Sequence, residues 1–102
     1  MRSHAGEASR LLKALANQRR LLILCLLAEG ERSVGELNEL VDLSQSALSQ
    51  HLAVLRNEGL VHTRREAQTI YYSLEPGPAF EVIQTLYRIY CAPVLRNEEK
   101  RA

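Results

Sequence analysis

Apolar residues recur at helical spacing in the first third of the chain, and this pattern predicts two helices before Ser33. We expect Asn17 to be the N-cap of the second helix and Gly30 to lie just past its end. Residues 21–27 are apolar on most sides, so this helix should lie at the centre of the core. The apolar face of the first helix consists of Leu11, Leu12, Leu15 and Ala16.

Two helices joined by a tight turn are predicted between Ser33 and Gly59. Ser33 and Glu36 have the spacing of a capping box, which begins a short helix. After Asp42-Leu43, Ser44 is expected to cap a longer helix that Gly59 ends. A short helix, a tight turn and a longer helix, polar on one face, predict a helix–turn–helix.

From Leu60 onward the spacing changes from helical to alternating. Two β-rich runs on either side of Glu66-Ala67-Gln68 predict a hairpin, the wing of a winged helix. Pro76-Gly77-Pro78 then breaks the chain before a final helix, which Pro93 limits. The apolar residues of that helix are Phe80, Ile83, Leu86, Tyr87 and Tyr90.

These elements predict a fold that is mainly α with a β-hairpin (α+β). We expect a winged helix–turn–helix of about five helices and a two-stranded wing. The whole chain, residues 1–102, should form a single domain with a frayed, charged tail at about residues 96–102.

Composition excludes several classes of protein. With 46% hydrophobic and 25% charged residues, the sequence is typical of a globular protein. Its longest apolar run, residues 21–28, is shorter than the roughly 18–20 residues that cross a bilayer. The first residues lack the apolar stretch of a secretory signal, so we expect no membrane association and a cytoplasmic location. The net charge is only +1, so basic groups that bind DNA would have to be clustered on one surface. A dimer would then provide two such clusters.

One face of the longer helix has the chemistry of a DNA-reading surface. Leu48, Leu52 and Leu55 form one buried stripe. The opposite face is short, polar and uncharged, and an ordinary solvated face more often has Lys and Glu. Glutamine can pair with adenine and serine with several base edges in the major groove of double-stranded DNA. The residues of this face are Gln45, Ser46, Ser49, Gln50 and Ala53.

Further DNA contacts are expected at the helix margin and the wing tip. His51 fits a packed or capping histidine as well as a phosphate contact. Arg56 could reach a phosphate. In the wing, basic and polar residues could meet phosphates or the minor groove, although single arginines are often just solvated. These wing residues are Thr63, Arg64, Arg65 and Gln68.

The order of elements resembles the ArsR-type bacterial repressors from about Leu11 to Cys91. The matching stretches are LKALANQRRLLIL, ELVDLSQSALSQHLAVLRNEGLV and TRREAQTIYYSL. The pair LSQSALSQHL and REAQTIYYSL is especially similar to the subgroup of HlyU, BigR and SqrR. The resemblance implies a homodimer, built from the first and last helices, that binds an inverted-repeat operator, and hence a bacterial, nucleoid-associated protein. It also implies release from DNA by an inducer, which in the wider family is commonly a metal ion.

The chain departs from the metal-sensing pattern of that family. Metal sensors often have Cys-x-Cys where this chain has Ser33-Val34-Gly35, and the last helix here contains no histidine. His4, His51 and His62 have no partner at i, i+4, and thiolates and imidazoles are what would hold zinc. No metal and no cofactor is therefore expected, and a metal-responsive repressor is kept as an alternative.

Two cysteines remain as candidate sensors. The subgroup uses one cysteine on each of two helices to sense persulfides and other oxidants, and Cys25 in LILCLL and Cys91 in YRIYC match by neighbourhood. The resemblance thus implies that reactive sulfur species or oxidants act as the inducer. Buried cysteines, however, often serve only as small apolar residues.

We expect no enzyme, because the chain has no C-x-x-C and no recognisable catalytic motif. The rival hypothesis is a winged-helix interaction module without DNA specificity.

Overall fold

The computed structural model describes residues 2–91, with Cys91 described by its backbone alone. A 3-10 turn at Arg2–His4 precedes the first α-helix, and a π-helical turn follows the last one. The elements are α1 (Ala5–Leu15), α2 (Gln18–Ala28), β1 (Arg32–Ser33), α3 (Val34–Leu40), α4 (Gln45–Asn57), β2 (Val61–Glu66), β3 (Thr69–Leu74), α5 (Pro78–Leu86) and the π-helical turn Tyr87–Cys91.

Three helices, α2, α3 and α4, begin where a short polar side chain accepts hydrogen bonds from their first amides. The Asn17 side chain accepts hydrogen bonds from the amides of Arg19 and Arg20, and so caps α2. Ser33 and Glu36 form the complete capping box of α3, with both reciprocal hydrogen bonds in place. The Ser44 hydroxyl accepts from the Ala47 amide at the start of α4. All three predicted N-caps are confirmed.

Helix α2 lies at the centre of the core, as its apolar sequence predicts. It packs against α1, α4, α5 and β3. Burial of large aliphatic side chains is the main stabilising term, and truncating one of them to Ala typically costs about 2–5 kcal/mol. The most deeply buried side chains are Ile23, Leu24, Leu37, Leu48, Leu55 and Ile83.

The sheet has three strands, one more than the predicted two-stranded wing. The short strand β1 pairs antiparallel with β3, with Arg32 opposite Tyr72 and Ser33 opposite Tyr71. Ser33 has extended backbone angles because it is the N-cap of α3, and this conformation leaves its backbone available to the sheet. The strand order is β1-β3-β2, so β3 is the central strand. The winged helix–turn–helix of mainly helical composition is confirmed.

The hairpin of β2 and β3, here called the wing, has a two-residue turn. Glu66 pairs with Thr69, so that Ala67 and Gln68 alone form the connection. Ala67 has a φ of 56°, in the left-handed region. The turn is thus tighter than the three-residue connection in the prediction.

The final helix changes character after Leu86. Helix α5 begins at Pro78 and is followed by the π-helical turn, a local widening that is frequent at functional sites. Ile83 is buried, whereas Tyr90 is exposed. The predicted limit at Pro93 and the predicted frayed tail lie outside the described residues. Within residues 2–91, the helices are too short to cross a bilayer.

Candidate nucleic-acid interface and cysteine site

Helix α4, here called the recognition helix, is held rigidly at both ends. At its C-terminus the Gly59 amide donates to the Arg56 carbonyl at 3.0 Å, and the Leu60 amide donates to the Leu55 carbonyl at 2.9 Å. These two bonds form a Schellman motif, for which Gly59 adopts a φ of 73°. Because Leu55 and Leu60 are both buried, the end of the helix is also fixed to the core.

The exposed face of the recognition helix matches the predicted reading surface. Its inward stripe is fully buried, and the whole helix of 13 residues is about 20 Å long. That length and the short side chains suit the major groove, which is about 12 Å wide. The residues on the exposed face are Gln45, Ser46, Ser49, Gln50 and Ala53.

His51 and Arg56 flank this face in different settings. His51 is half-buried at the margin of the apolar stripe. Arg56 is exposed in the last turn of the helix, and within residues 2–91 it forms no ion pair. Its guanidinium is therefore available to an anion such as a phosphate, and both residues stay predicted contacts.

The two wing arginines lie on opposite faces of the hairpin. Arg65 pairs with Ile70 and Arg64 with Tyr71, and neighbouring residues of a strand alternate between faces. Arg65 and the turn residue Gln68 are exposed, and in the described part of the chain Arg65 makes no ion pair. Arg65 is thus the wing cation that is available to phosphates.

Arg64 is already occupied by protein partners. Its Nη2 lies 2.7 Å and its Nε 2.9 Å from the two carboxylate oxygens of Glu31, and its Nη1 lies 2.8 Å from Glu66. The guanidinium also stacks over the Tyr71 ring, 4.3 Å from its centroid. The hydrogen bonds to Glu31 and Glu66 raise the pKa of Arg64, and that to Arg64 lowers the pKa of Glu31. Arg64 therefore fastens the wing to the rest of the protein.

Sequence reasoning missed Glu31 as a partner of the wing. Glu31 also accepts a hydrogen bond from the Ser73 hydroxyl at 3.2 Å, so it contacts both wing strands. The signal in the sequence is weak: a glutamate, a glycine and two further charged residues follow α2 at positions 29–32. Such a run usually indicates a solvated loop, and the partners are 33 and 42 residues away.

Cys25 lies against an apolar cavity of about 630 Å³. It is half-buried on α2. The cavity lies between α2 and the end of the chain's last helical segment, so it places Cys25 beside the segment that ends at Cys91. The side chain of Cys91 lies outside the described residues. The lining residues are Gln18, Arg19, Leu21, Leu22, Cys25, Leu86 and Tyr90.

Apolar surface is left uncovered on the first helix and the last turn. Leu12 is 58% exposed and Tyr90 is 68% exposed, and Ile89 is exposed beside it. Leu15 and Ile83, which belong to the predicted apolar residues of the first and last helices, are buried within the chain's own core. In the part of the chain that the structure describes, no group of three or more His, Cys, Asp or Glu is placed to hold a metal ion.

A helix–turn–helix with a rigid polar recognition helix, followed by a hairpin with an available cation, defines a winged helix–turn–helix of the DNA-binding class. The model of the bacterial regulatory proteins of the arsR family matches residues 17–63. The transcriptional activator HlyU of Vibrio cholerae is 55% identical over 91 residues, which are 89% of this chain and 84% of HlyU. The chain belongs to the ArsR family and is a DNA-binding transcriptional regulator, not an enzyme.

Solved structures agree with this assignment. Reduced HlyU from Vibrio cholerae superposes with a TM-score of 0.84 over 89% of this chain and 96% of that one, at 55% identity. The repressor BigR from Xylella fastidiosa gives 0.85 at 44% identity, over 91% of this chain and 92% of that one. A homodimeric winged helix–turn–helix DNA-binding domain from Mycobacterium bovis gives 0.75 at 33% identity, over 85% and 81%. The resemblance to the subgroup of HlyU and BigR is thus confirmed.

Proposed function

We propose that the protein is a homodimeric repressor that leaves an inverted-repeat operator when Cys25 and Cys91 become bridged by reactive sulfur species or oxidants. One observation supports this proposal most directly. Cys25 and Tyr90 line the same cavity, and Tyr90 immediately precedes Cys91 in the chain. The two cysteines therefore belong to elements that contact each other, although 65 positions of sequence separate Cys25 from Tyr90.

The uncovered apolar surface supports the homodimer. Leu12 and Tyr90 expose large apolar areas on α1 and the last turn, and such patches on a small protein usually mark an interface. A second copy of the chain would cover them with two-fold symmetry. Two recognition helices related in this way would reach half-sites about one turn of DNA apart. The Mycobacterium bovis neighbour, itself homodimeric, and the repressor BigR share this fold.

DNA contact is assigned to two surfaces with different roles. The polar face of the recognition helix supplies base readout through Ser49 and Gln50, with Gln45 and Ser46 nearer its N-terminus. Arg56, Arg65 and Gln68 supply contacts to phosphate, and His51 lies at the margin of the reading face. Arg64 supports the wing through its ion pairs with Glu31 and Glu66.

A persulfide can supply the bridge without any additional oxidant. The Cys25 thiolate attacks the outer sulfur of a low-molecular-weight persulfide, takes that sulfur and releases a thiolate. Cys91 gains a sulfur in the same way. The terminal sulfur of the Cys25 persulfide then attacks Sγ of the Cys91 persulfide, forms a trisulfide and expels hydrosulfide. Each inserted sulfur adds one bond of about 2 Å, so this bridge spans thiols that are too far apart for an unstrained disulfide.

The proposal is tested by measuring operator affinity before and after treatment with glutathione persulfide, with intact mass recorded in parallel. The reduced parent should bind the operator tightly, and the bridged form should bind more weakly by a factor in the range of about 5–150. The expected mass gain for a trisulfide is one sulfur less two hydrogens. Peroxide treatment of the same protein shows whether a simple disulfide has the same effect.

Cys25→Ser and Cys91→Ser provide matched controls for this experiment. Each variant should bind the operator like the parent and keep its affinity after persulfide treatment, because neither can close the bridge. A single variant that still loses affinity as the parent does would show that the paired-cysteine mechanism is wrong.

A further inference from the structure

Residues 29–32 form a segment, the loop after α2 and the first residue of β1, that contacts two separate parts of the molecule. We call it the 29–32 loop. Its first residue, Glu29, contacts the π-helical turn that ends at Cys91, and its third residue, Glu31, contacts the wing.

At one end of the loop, each oxygen of Glu29 has its own partner. The Tyr87 hydroxyl donates to Oε2 at 3.3 Å, and Nη2 of Arg32 donates to Oε1 at 2.8 Å. The Arg32 side chain is largely covered, and its Nε is buried without a hydrogen-bond partner within the described chain. Because a covered guanidinium needs a compensating charge, the position of Arg32 depends on Glu29.

At the other end, the loop is joined to the wing by backbone and side chains together. Arg32 and Ser33 are the two residues of β1, and they pair with Tyr72 and Tyr71 of the central strand. The carboxylate of Glu31 receives Arg64 of β2 and the hydroxyl of Ser73 of β3. A displacement of the 29–32 loop must therefore displace β1 and change the support of the wing.

We propose that the 29–32 loop transmits the state of the turn ending at Cys91 to the wing, with Tyr87 and Glu29 as the positioning residues of this connection. The inference rests on the proposed function, in which the signal originates when Cys25 and Cys91 become bridged. A covalent link between α2 and the last turn changes the position of that turn relative to α2, and Tyr87 moves with it. Glu29 then loses one of its two donors, its hold on Arg32 changes, and β1 shifts beneath the wing. Coupling between the last turn and the wing requires one element whose position depends on both. The 29–32 loop is that element.

The test compares Tyr87→Phe with Thr85→Val. Each variant removes one hydroxyl from the last helical segment and keeps nearly the same side-chain volume. The Thr85 hydroxyl donates to the Glu81 carbonyl of its own helix at 2.9 Å, so its removal leaves the contacts of the 29–32 loop in place and makes Thr85→Val the control. In the reduced, DNA-free protein, hydrogen–deuterium exchange of peptides from β1 and the wing should rise severalfold in Tyr87→Phe and stay at the parent level in Thr85→Val.

The second measurement uses the bridged proteins. Because Tyr87→Phe lacks the donor that bridging removes, its reduced form should already bind the operator more weakly than the reduced parent. After persulfide treatment, with the bridge verified by intact mass, its affinity should change little further, whereas the parent and Thr85→Val should lose theirs. The proposal is wrong if wing exchange in Tyr87→Phe equals that in the control, or if bridging lowers its operator affinity by the same factor as in the parent. A parent that ignores persulfide would refute the proposed function alone, and the exchange measurement would still decide whether the loop connects the turn to the wing.

Discussion

The Leu60 amide donates to the Leu55 carbonyl at 2.9 Å, and this bond joins the end of the recognition helix to the start of the wing. Gly59 lies between them with a φ of 73°, a conformation that costs a residue with a Cβ about 1–2 kcal/mol. Gly59→Ala is therefore expected to lower the free energy of unfolding by about 1 kcal/mol, measured by urea denaturation.

Gly35→Ala is the matched control for that change. Gly35 lies in the first turn of α3, and an added Cβ would meet only the Ser33 hydroxyl, at an ordinary 3.9 Å. The same substitution should raise the free energy of unfolding here by about 0.5–1 kcal/mol, because it restricts the unfolded chain. Equal effects at the two positions would contradict the role given to the Gly59 conformation.

Base readout by the recognition helix is tested with Gln50→Ala. The Gln50 side chain is exposed, so its removal should leave the fold intact and take away hydrogen bonds to a base in each half-site. The expected cost is about 1–3 kcal/mol per bidentate contact for the operator and little for an unrelated duplex. Fluorescence anisotropy with both duplexes measures the difference. An equal loss on both duplexes would mean that Gln50 contacts the DNA backbone.

The two wing arginines should behave differently when each is replaced by Ala. Arg65→Ala removes a phosphate contact from each subunit, so the slope of log affinity against log salt should fall by about 0.9 per contact. Arg64→Ala should lower affinity by loosening the wing, because its donors bind Glu31 and Glu66. Salt titrations of both variants, with wing hydrogen exchange, separate these effects. A slope unchanged in Arg65→Ala would remove Arg65 from the interface.

The dimer is tested with Leu12→Glu. Leu12 is 58% exposed on α1, and a charge there should be incompatible with burial against a second subunit. Sedimentation should show the parent as a dimer and the variant as a monomer at micromolar concentration. Leu40→Glu is the control, since Leu40 is 49% exposed on a different helix, α3. A monomeric parent would overturn the proposed homodimer.

The capping box of α3 predicts a specific pH dependence. The hydrogen bond from the Ser33 amide is the main cause that lowers the pKa of Glu36. A carboxylate whose pKa is lower in the folded state contributes stability above its unfolded pKa of about 4.3 and loses it as the pH falls through the folded value. The thermal midpoint should therefore fall less between about pH 6 and pH 3 in Glu36→Gln than in the parent. Glu39→Gln, on the same helix but outside the capping box, is the matched control.

Local signals made most of the fold predictable from the sequence. The caps at Asn17, Ser33 and Ser44 and the stop at Gly59 each involve residues two to five positions apart, so their spacing alone identifies them. The exposed polar face of the recognition helix follows in the same way from helical periodicity. Strand β1 was not predictable, because it is two residues long and its partner strand lies about 40 residues further on.

Long-range pairing limited the prediction of the site. Arg64 and Arg65 are adjacent residues of the same type, so the sequence alone does not distinguish them. Only the strand register shows that Arg64 is the one that faces Glu31. The sequence suggested Cys25 through family resemblance, and no periodicity places it beside the last turn. That placement depends on how α2 packs against α5, which is a tertiary property.

The left-handed Ala67 at the wing turn has a consequence for the entropy of binding. Glycine is the usual residue where φ is positive, and it samples many conformations before it is fixed. Alanine has fewer accessible states, so the turn loses less conformational freedom when the wing meets DNA. The methyl group is also small enough to leave the tip narrow, as a minor groove about 6 Å wide requires. The chain thus accepts a modest local strain at Ala67 in the free protein, and in return less conformational entropy is lost at the wing tip in the proposed complex with the operator.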